Sequence, residues 1–552
     1  MDHANLTLEE MKQTTCDMEL LDAQLTEMKE LAAEAEAAGE AKDPERVKEL
    51  FGETLDEVEK LSTCYSLSQI TYYQNIFDEE NQEIQAELLD DVMDYGDRLN
   101  VSIRELCKSP YQNTMTELMN AEQVEAYLEY EEMTDEEKEL TAKENSLEQE
   151  YEQLSSEEFY YEYDGEEWDL NRLNMEADEM DHDAVVEIYQ GICKQRNDAV
   201  GEVFVELVDV RNEIAKLNGY DNYAEYAYDA VYVRDYTLDE TRDLLKEIRK
   251  HVVPVMADMK DVLNDTDYMR LYTEGQGIES TSIIEQIGPY LEEIDPELKD
   301  TQEHFLKYRL YDMDTSQNKA NTAFTMRLSY FKDGFIYGQM YDNYMDYYNV
   351  IHEFGHYNNV YRSADTFFES SNNIDVSEIH SQGMQILFYD YYDELLGEDI
   401  GDIYAFYDVY SMADNAISTA LISEFEIAAY ENPDMTLEEL NKLYLQLSRR
   451  YGMQYDSKIK ELYTWSEVPH IFTSPCYYFS YLTSAFSSLD ILTMAEEDRH
   501  EAVETYMTLT TIPGYVPYCS AVEYAGLRDI FDDGVAQDII EETASILGVK
   551  GY

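Results

Sequence analysis

From Leu6 to about Asn218 apolar residues recur every three to four positions, as in Val47, Leu50, Phe51, Leu55 and Val58, which is the spacing of one face of an α-helix. Asp43 before Pro44 reads as an N-cap followed by proline at the first helical position, where the missing N–H costs nothing. From Glu122 to about Asp169 the chain turns strongly acidic. Runs such as Tyr130 to Lys138 there predict a solvated helix face or a mobile arm. Helical spacing returns at Ala184 and continues to a stop at Asn218-Gly219-Tyr220. Thr237-Leu238-Asp239-Glu240 has the form of a capping box, opening a helix from Leu238 to about Val253 that Pro254 ends or kinks. One stretch breaks the pattern. Phe324 to Phe331 and Phe335 to Tyr337, split by Lys332-Asp333-Gly334, predict a short β-hairpin. No repeat with a period of roughly 20 to 50 residues is visible. The expected fold class is mostly α with a small sheet.

Composition sharpens this picture. The 552 residues, 44% hydrophobic and 13% aromatic, suffice for one large core or two to three smaller ones. A formal charge of −83 would signal disorder in a chain poor in aromatics, but 50 Tyr and 18 Phe argue for a folded protein. The negative field repels nucleic acid and anionic lipid, which removes DNA binding from consideration, and it favours cationic ligands. The six cysteines (Cys16, Cys64, Cys107, Cys193, Cys476, Cys519) lie far apart without a C-x-x-C pair, so free thiols are expected. No run of eighteen apolar residues occurs and the first residues lack a signal-peptide pattern. A cytoplasmic location is expected, with an exported or lipid-anchored enzyme whose leader is absent as the alternative.

The chemistry concentrates at His352-Glu353-Phe354-Gly355-His356. Two imidazoles four residues apart share one helix face and can reach one tetrahedral ion. In a zinc peptidase the adjacent Glu does not bind metal; it takes a proton from the attacking water and passes it to the leaving amine. In a chain with nine His, chance would produce this pattern on the order of 0.02 times. Gly355 inside the motif costs helix stability, about 1 kcal/mol relative to Ala, which predicts a close approach to the backbone there. A third ligand is needed. Glu378, in Val376-Ser377-Glu378-Ile379-His380-Ser381, is the favoured candidate, and spacing leaves Glu369, Asp375 and His380 open as alternatives.

These segments resemble the thimet oligopeptidase and oligoendopeptidase F family of zinc metallopeptidases, in which H-E-x-G-H is followed some two dozen residues later by a ligand Glu on another helix. The resemblance implies that His352, His356 and Glu378 bind one zinc ion, that Glu353 is the base, and that His380 is a neighbour. A second segment, Pro469-His470-Ile-Phe-Thr-Ser-Pro475-Cys-Tyr477-Tyr478-Phe-Ser-Tyr481, is similar to the family's His followed by closely spaced tyrosines. Helical spacing would turn Tyr477, Tyr478 and Tyr481 to a common side. The family comparison implies that His470, Tyr478 and Tyr481 hydrogen-bond the substrate and the oxyanion and that Tyr477 binds substrate. Leu217 to Tyr226, Ile512-Pro513-Gly514-Tyr515 and Ala525-Gly526-Leu527 extend the resemblance, which spans about residues 200 to 550. Gly514 and Tyr515 match the family's substrate loop, here less rich in Gly. The hairpin would supply an edge strand for an extended peptide, with Gly338 and Gln339 on that edge, or else only pack the helix.

The resemblance implies a two-lobed, zincin-type helical peptidase with an internal substrate channel. Residues 1–190 form its acidic N-terminal helical lobe and 191–552 its catalytic domain. The implied activity is endoproteolysis of short peptides. The alternatives are an exopeptidase of another helical zinc group, an inactive peptide-binding protein of the same fold, and an acidic scaffold. Cleavage preference and oligomeric state stay open.

Overall fold

Three long amphipathic helices, Met18–Ala38, Pro44–Gln74 and Glu79–Lys108, pack against one another near the start of the chain. Each begins at an aspartate whose carboxylate accepts a backbone N–H of the first turn: Asp17 from Leu20, Asp43 from Arg46 and Asp78 from Asn81, at 3.0 to 3.1 Å. This satisfies donors that the helix itself leaves open. The apolar stripe through Val47, Leu50, Phe51 and Val58 joins Leu21, Leu25, Leu99 and Ile103 in a separate core. The computed structural model describes residues 3–129, 133–177, 180–363, 374–455 and 459–552.

The larger core is built by the remaining helices, among them His182–Leu217, Glu398–Glu431 and Phe479–Glu497. Helix Pro44–Gln74 belongs to both cores, because Leu67 and Ile70 at its far end pack into the larger one. The helix Asp135–Ser155, in the acidic stretch, is docked rather than mobile. Its Leu147 and Tyr151 are buried, Tyr151 stacks on Phe472 at 3.9 Å, and Glu144 and Glu148 accept from the buried Arg211 at 2.7 and 2.8 Å. Positions 130–132 of the predicted acidic run lie outside the described residues. A small hairpin follows, β1 (Tyr161–Tyr163) and β2 (Glu166–Trp168), turned by Asp164 and Gly165 at φ of 54° and 83°. Positive φ at both positions is what a tight two-residue hairpin demands, and Asp-Gly meets it cheaply.

The helix from His182 stops at Leu217, before the expected turn, with Gly219 at φ 89°. At Thr237 the capping box is closed: the Glu240 N–H donates to Thr237 Oγ1 at 3.2 Å and the Thr237 N–H to Glu240 Oε2 at 2.7 Å. Pro254 does not end the helix. The chain stays helical by widening into a π-turn at Ile248–Val252 and resuming over Val253–Asn264, which places proline in a first turn where it takes no bond away.

The predicted sheet is present but arranged differently. β4 (Ala323–Leu328) pairs antiparallel with β5 (Asp333–Gly338), and β5 pairs parallel with a two-residue strand, β3 (Tyr311–Asp312), so β5 is central and β4 is the edge. The turn occupies Ser329 to Lys332, with Lys332 at φ 50°, and not Lys332-Asp333-Gly334. Asp333 is drawn inside because its carboxylate is bonded to His304 Nε2 at 2.7 Å and to the Tyr357 hydroxyl at 2.8 Å. All six cysteines are unpaired. Among the described residues no helix is long and apolar enough to cross a membrane.

Candidate metal centre

The motif lies on the helix Met345–Arg362, whose start is held by Asp346, a buried carboxylate accepting the N–H groups of Tyr341 and Asp342 at 2.8 and 2.9 Å. Across from it runs the helix Ile374–Phe388. The two approach closely at Gly355. A Cβ built there would lie 2.3 Å from the His380 carbonyl oxygen and 2.7 Å from Ser381 Cα, so only glycine fits. That contact brings Glu378 over the two imidazoles. His352 Nε2 lies 3.3 Å and His356 Nε2 3.4 Å from the same Glu378 oxygen, and the three ligand atoms lie within 4.8 Å of one another.

Two imidazoles and a carboxylate are a donor set whose chemistry fits a divalent metal ion such as zinc. The three residues could hold a metal ion and form the one such cluster among the described residues. Asp375 is occupied elsewhere. Its carboxylate binds Arg234 at 3.2 Å through two nitrogens and accepts from Tyr236 and Ser480 at 2.9 and 2.6 Å. His380 stands beside the triad, with its carbonyl accepting from the Tyr506 hydroxyl at 2.8 Å. Glu369 lies outside the described residues.

Electrostatics couple the ligands. Burial opposes a charge on His352, but the hydrogen bond and charge of Glu378 outweigh it and raise the imidazole to about 9. Burial also works against the Glu378 carboxylate, and the facing His356 and His352 nevertheless hold it well below its ordinary range. Burial and the neighbouring His356 push His380 down to about 3, so it is neutral. Ser381 Oγ donates to the shared Glu378 oxygen at 2.8 Å. Glu353, 5% exposed, accepts from Thr325 Oγ1 at 2.9 Å.

The centre opens into a cleft of about 630 Å³. Its walls are β4, both ligand helices, Ile512 with Gly514, and Ser62 and Ser66 from helix Pro44–Gln74. The open edge here is β4. Gly338 and Gln339 are therefore not edge residues, contrary to expectation: Gly338 pairs with Ala323 inside the sheet, and Gln339 bonds Thr322 and Ser316. The hairpin is one strand further in than sequence implies because β3, too short to read, adds to its other side. Gly514 borders the cleft, while Tyr515, 47% exposed, lines a smaller adjoining pocket with Val233 and Arg234.

The second predicted segment is brought together. His470 is centred 5.6 Å from Tyr477, 5.1 Å from Tyr478 and 6.1 Å from Tyr481, and Tyr477 stands 5.6 Å from Tyr481. Only Tyr477 of this group lines the cleft. Burial lowers the His470 imidazole and raises the Tyr477 and Tyr481 hydroxyls, which also feel the Glu378 charge.

Sequence reasoning passed over Thr325, the Arg234–Asp375 pair and the residues behind His352. Gln385 alone carried a signal, since it follows Glu378 by seven residues and so shares its helix face.

No protein-family model and no curated protein sequence matches the chain. Solved structures do. A provisionally assigned oligoendopeptidase F is 23% identical over 99% of both chains with a TM-score of 0.77. PZ peptidase A, solved with an inhibitor, is 23% identical over 96% of this chain and 97% of that one, TM-score 0.77. A provisionally assigned oligoendopeptidase F from Bacillus anthracis is 22% identical over 97% of each, TM-score 0.73. The chain has the fold of these structures along nearly its whole length.

Proposed function

We propose that this chain is a zinc-dependent oligoendopeptidase of the oligoendopeptidase F type, with short peptides as substrates. The observation that carries the reading is the convergence of His352, His356 and Glu378 beside Glu353 at the floor of a cleft. The oligoendopeptidase names of the structural neighbours support it.

A zinc ion held by His352, His356 and Glu378 would supply a Lewis acid that polarises a carbonyl and lowers the pKa of water. The chain's own groups do the rest. The edge of β4 that lines the cleft offers backbone N–H and C=O groups to an extended peptide, which aligns it across the cleft. Glu353 takes a proton from the attacking water and hands it to the departing amine. His470, Tyr478 and Tyr481 donate hydrogen bonds to the developing oxyanion. Tyr477, the member of this group that lines the cleft, binds the substrate beside them. Gly514 contacts the peptide backbone, with Tyr515 at the rim of the adjoining pocket.

The test is hydrolysis of an end-capped, internally quenched oligopeptide by wild type and Glu353→Gln, with bound zinc measured in both. The expected result is one zinc in each and a loss of about 10²- to 10⁴-fold in kcat/KM for the variant. Zinc bound without turnover in the wild type would favour a peptide-binding role. Cleavage confined to peptides with a free terminus would favour an exopeptidase. Absence of zinc from the wild type would overturn the reading.

A further inference from the structure

Behind His352, on the side away from the cleft, runs a buried chain of hydrogen bonds that the mechanism above does not use. His352 Nδ1 lies 2.9 Å from Gln385 Oε1, Gln385 Nε2 donates to Asp408 Oδ1 at 2.5 Å, and the Tyr392 hydroxyl donates to Asp408 Oδ2 at 2.9 Å and contacts the Gln385 carbonyl at 3.3 Å. Gln385, Tyr392 and Asp408 are each 1 to 2% exposed, so water does not compete for these bonds.

The direction of each bond follows from the one before. Burial pushes the Asp408 carboxyl up to about 6, so at neutral pH it is a carboxylate that only accepts, and the side of the Gln385 amide facing it is the NH₂. The opposite orientation would press two acceptors together at 2.5 Å. The amide oxygen is thereby turned to His352, which must answer with an N–H at Nδ1. With Nδ1 holding its proton against Gln385, the proton that a metal ion displaces is the one on Nε2, the atom that faces Glu378 and His356. Had the neighbour been a lone glutamine free to flip, either tautomer would have been accommodated.

We infer that Asp408, acting through Gln385, is a positioning residue that fixes the His352 tautomer and so prepares Nε2 for the metal. The inference rests on the metal-centre reading. It assigns a role to a carboxylate on the helix Glu398–Glu431 that touches neither metal ligand nor cleft.

The experiment measures zinc affinity of the metal-free full chain by competition with a chromophoric chelator, together with its thermal unfolding. Gln385→Met should weaken zinc about 10- to 100-fold, the cost of losing a hydrogen-bonded partner behind a ligand histidine. Asp408→Asn, which can offer the Gln385 amide either a donor or an acceptor, should weaken it about tenfold. The double variant should be no weaker than Gln385→Met alone, because Asp408 works only through Gln385. Should Asp408→Asn not fold, Tyr392→Phe replaces it and should weaken zinc by a smaller factor. Wild-type affinity in both single variants, losses that multiply in the double variant, or losses that merely track the unfolding temperature would overturn the relay. A wild type that binds no zinc would instead overturn the metal centre itself.

Discussion

The two cores of this molecule are built on different principles. In the N-terminal array the buried side chains are apolar or uncharged, with Glu57 as the one buried charge among the described residues up to position 129. In the larger core the same interior holds Arg211, Arg234, Asp333, Asp346, Asp375, Asp408, Glu426 and Asp490. Apolar burial is non-directional and tolerates small shifts, whereas a buried ion pair or hydrogen-bond chain is satisfied in one arrangement only. The polar interior therefore lies where geometry matters: Arg234 and Asp375 tie the start of the Glu378 helix to Ser480 on the tyrosine helix.

This contrast can be broken by matched substitutions. Arg234→Met leaves Asp375 buried without its partner and should cost about 3 to 5 kcal/mol in denaturant unfolding. Leu50→Ala, in the apolar core, should cost about 3 kcal/mol while leaving kcat/KM of the folded fraction unchanged. Equal damage to catalysis by both would erase the distinction. Gly355→Ala should cost about 1 to 3 kcal/mol and weaken zinc as well, since the new methyl group drives the two ligand helices apart. Retained zinc affinity would show that the close approach does not set the ligand geometry.

The smallest effect concerns protons. His352 is held up to about 9, so below that pH zinc must displace a proton from it. Apparent affinity should fall by about tenfold per pH unit between about pH 8 and pH 6, equivalent to about 1.4 kcal/mol. The sign for the metal-free fold is opposite: a folded pKa above the unfolded value near 6.5 stabilises fully below that value, and the contribution is lost as pH rises through about 9. Zinc titrations across this range check the first, unfolding of the metal-free chain the second; a flat affinity would separate His352 from Glu378.

Much of the molecule was legible because its rules act within one or two turns. The Thr237 box, the Asp43 cap and the stripe from Val47 to Val58 each need only a few consecutive residues, and so does the pair of motif histidines. Close approach at Gly355 was also readable, since a glycine costs stability in mid-helix and must be compensated. What failed depends on distant partners. Thr325 lies 28 residues from Glu353, and Arg234 lies 141 from Asp375, with no local pattern to announce either. Lys332-Asp333-Gly334 misled because His304 and Tyr357 bury an aspartate that turn chemistry would leave outside. The Asp164-Gly165 turn was readable and was masked by the acidity around it.

Helix Pro44–Gln74 spans 31 residues, about 46 Å at 1.5 Å per residue, and is anchored at both ends, in the apolar array at Leu50 and in the larger core at Leu67 and Ile70, with its Ser62 and Ser66 forming a cleft wall. From Leu50 to Ser66 is about 24 Å along the axis, the distance over which it bridges the apolar array and the cleft wall. The N-terminal array is thereby tied to the cleft as a brace to a wall, although none of its core residues lines it.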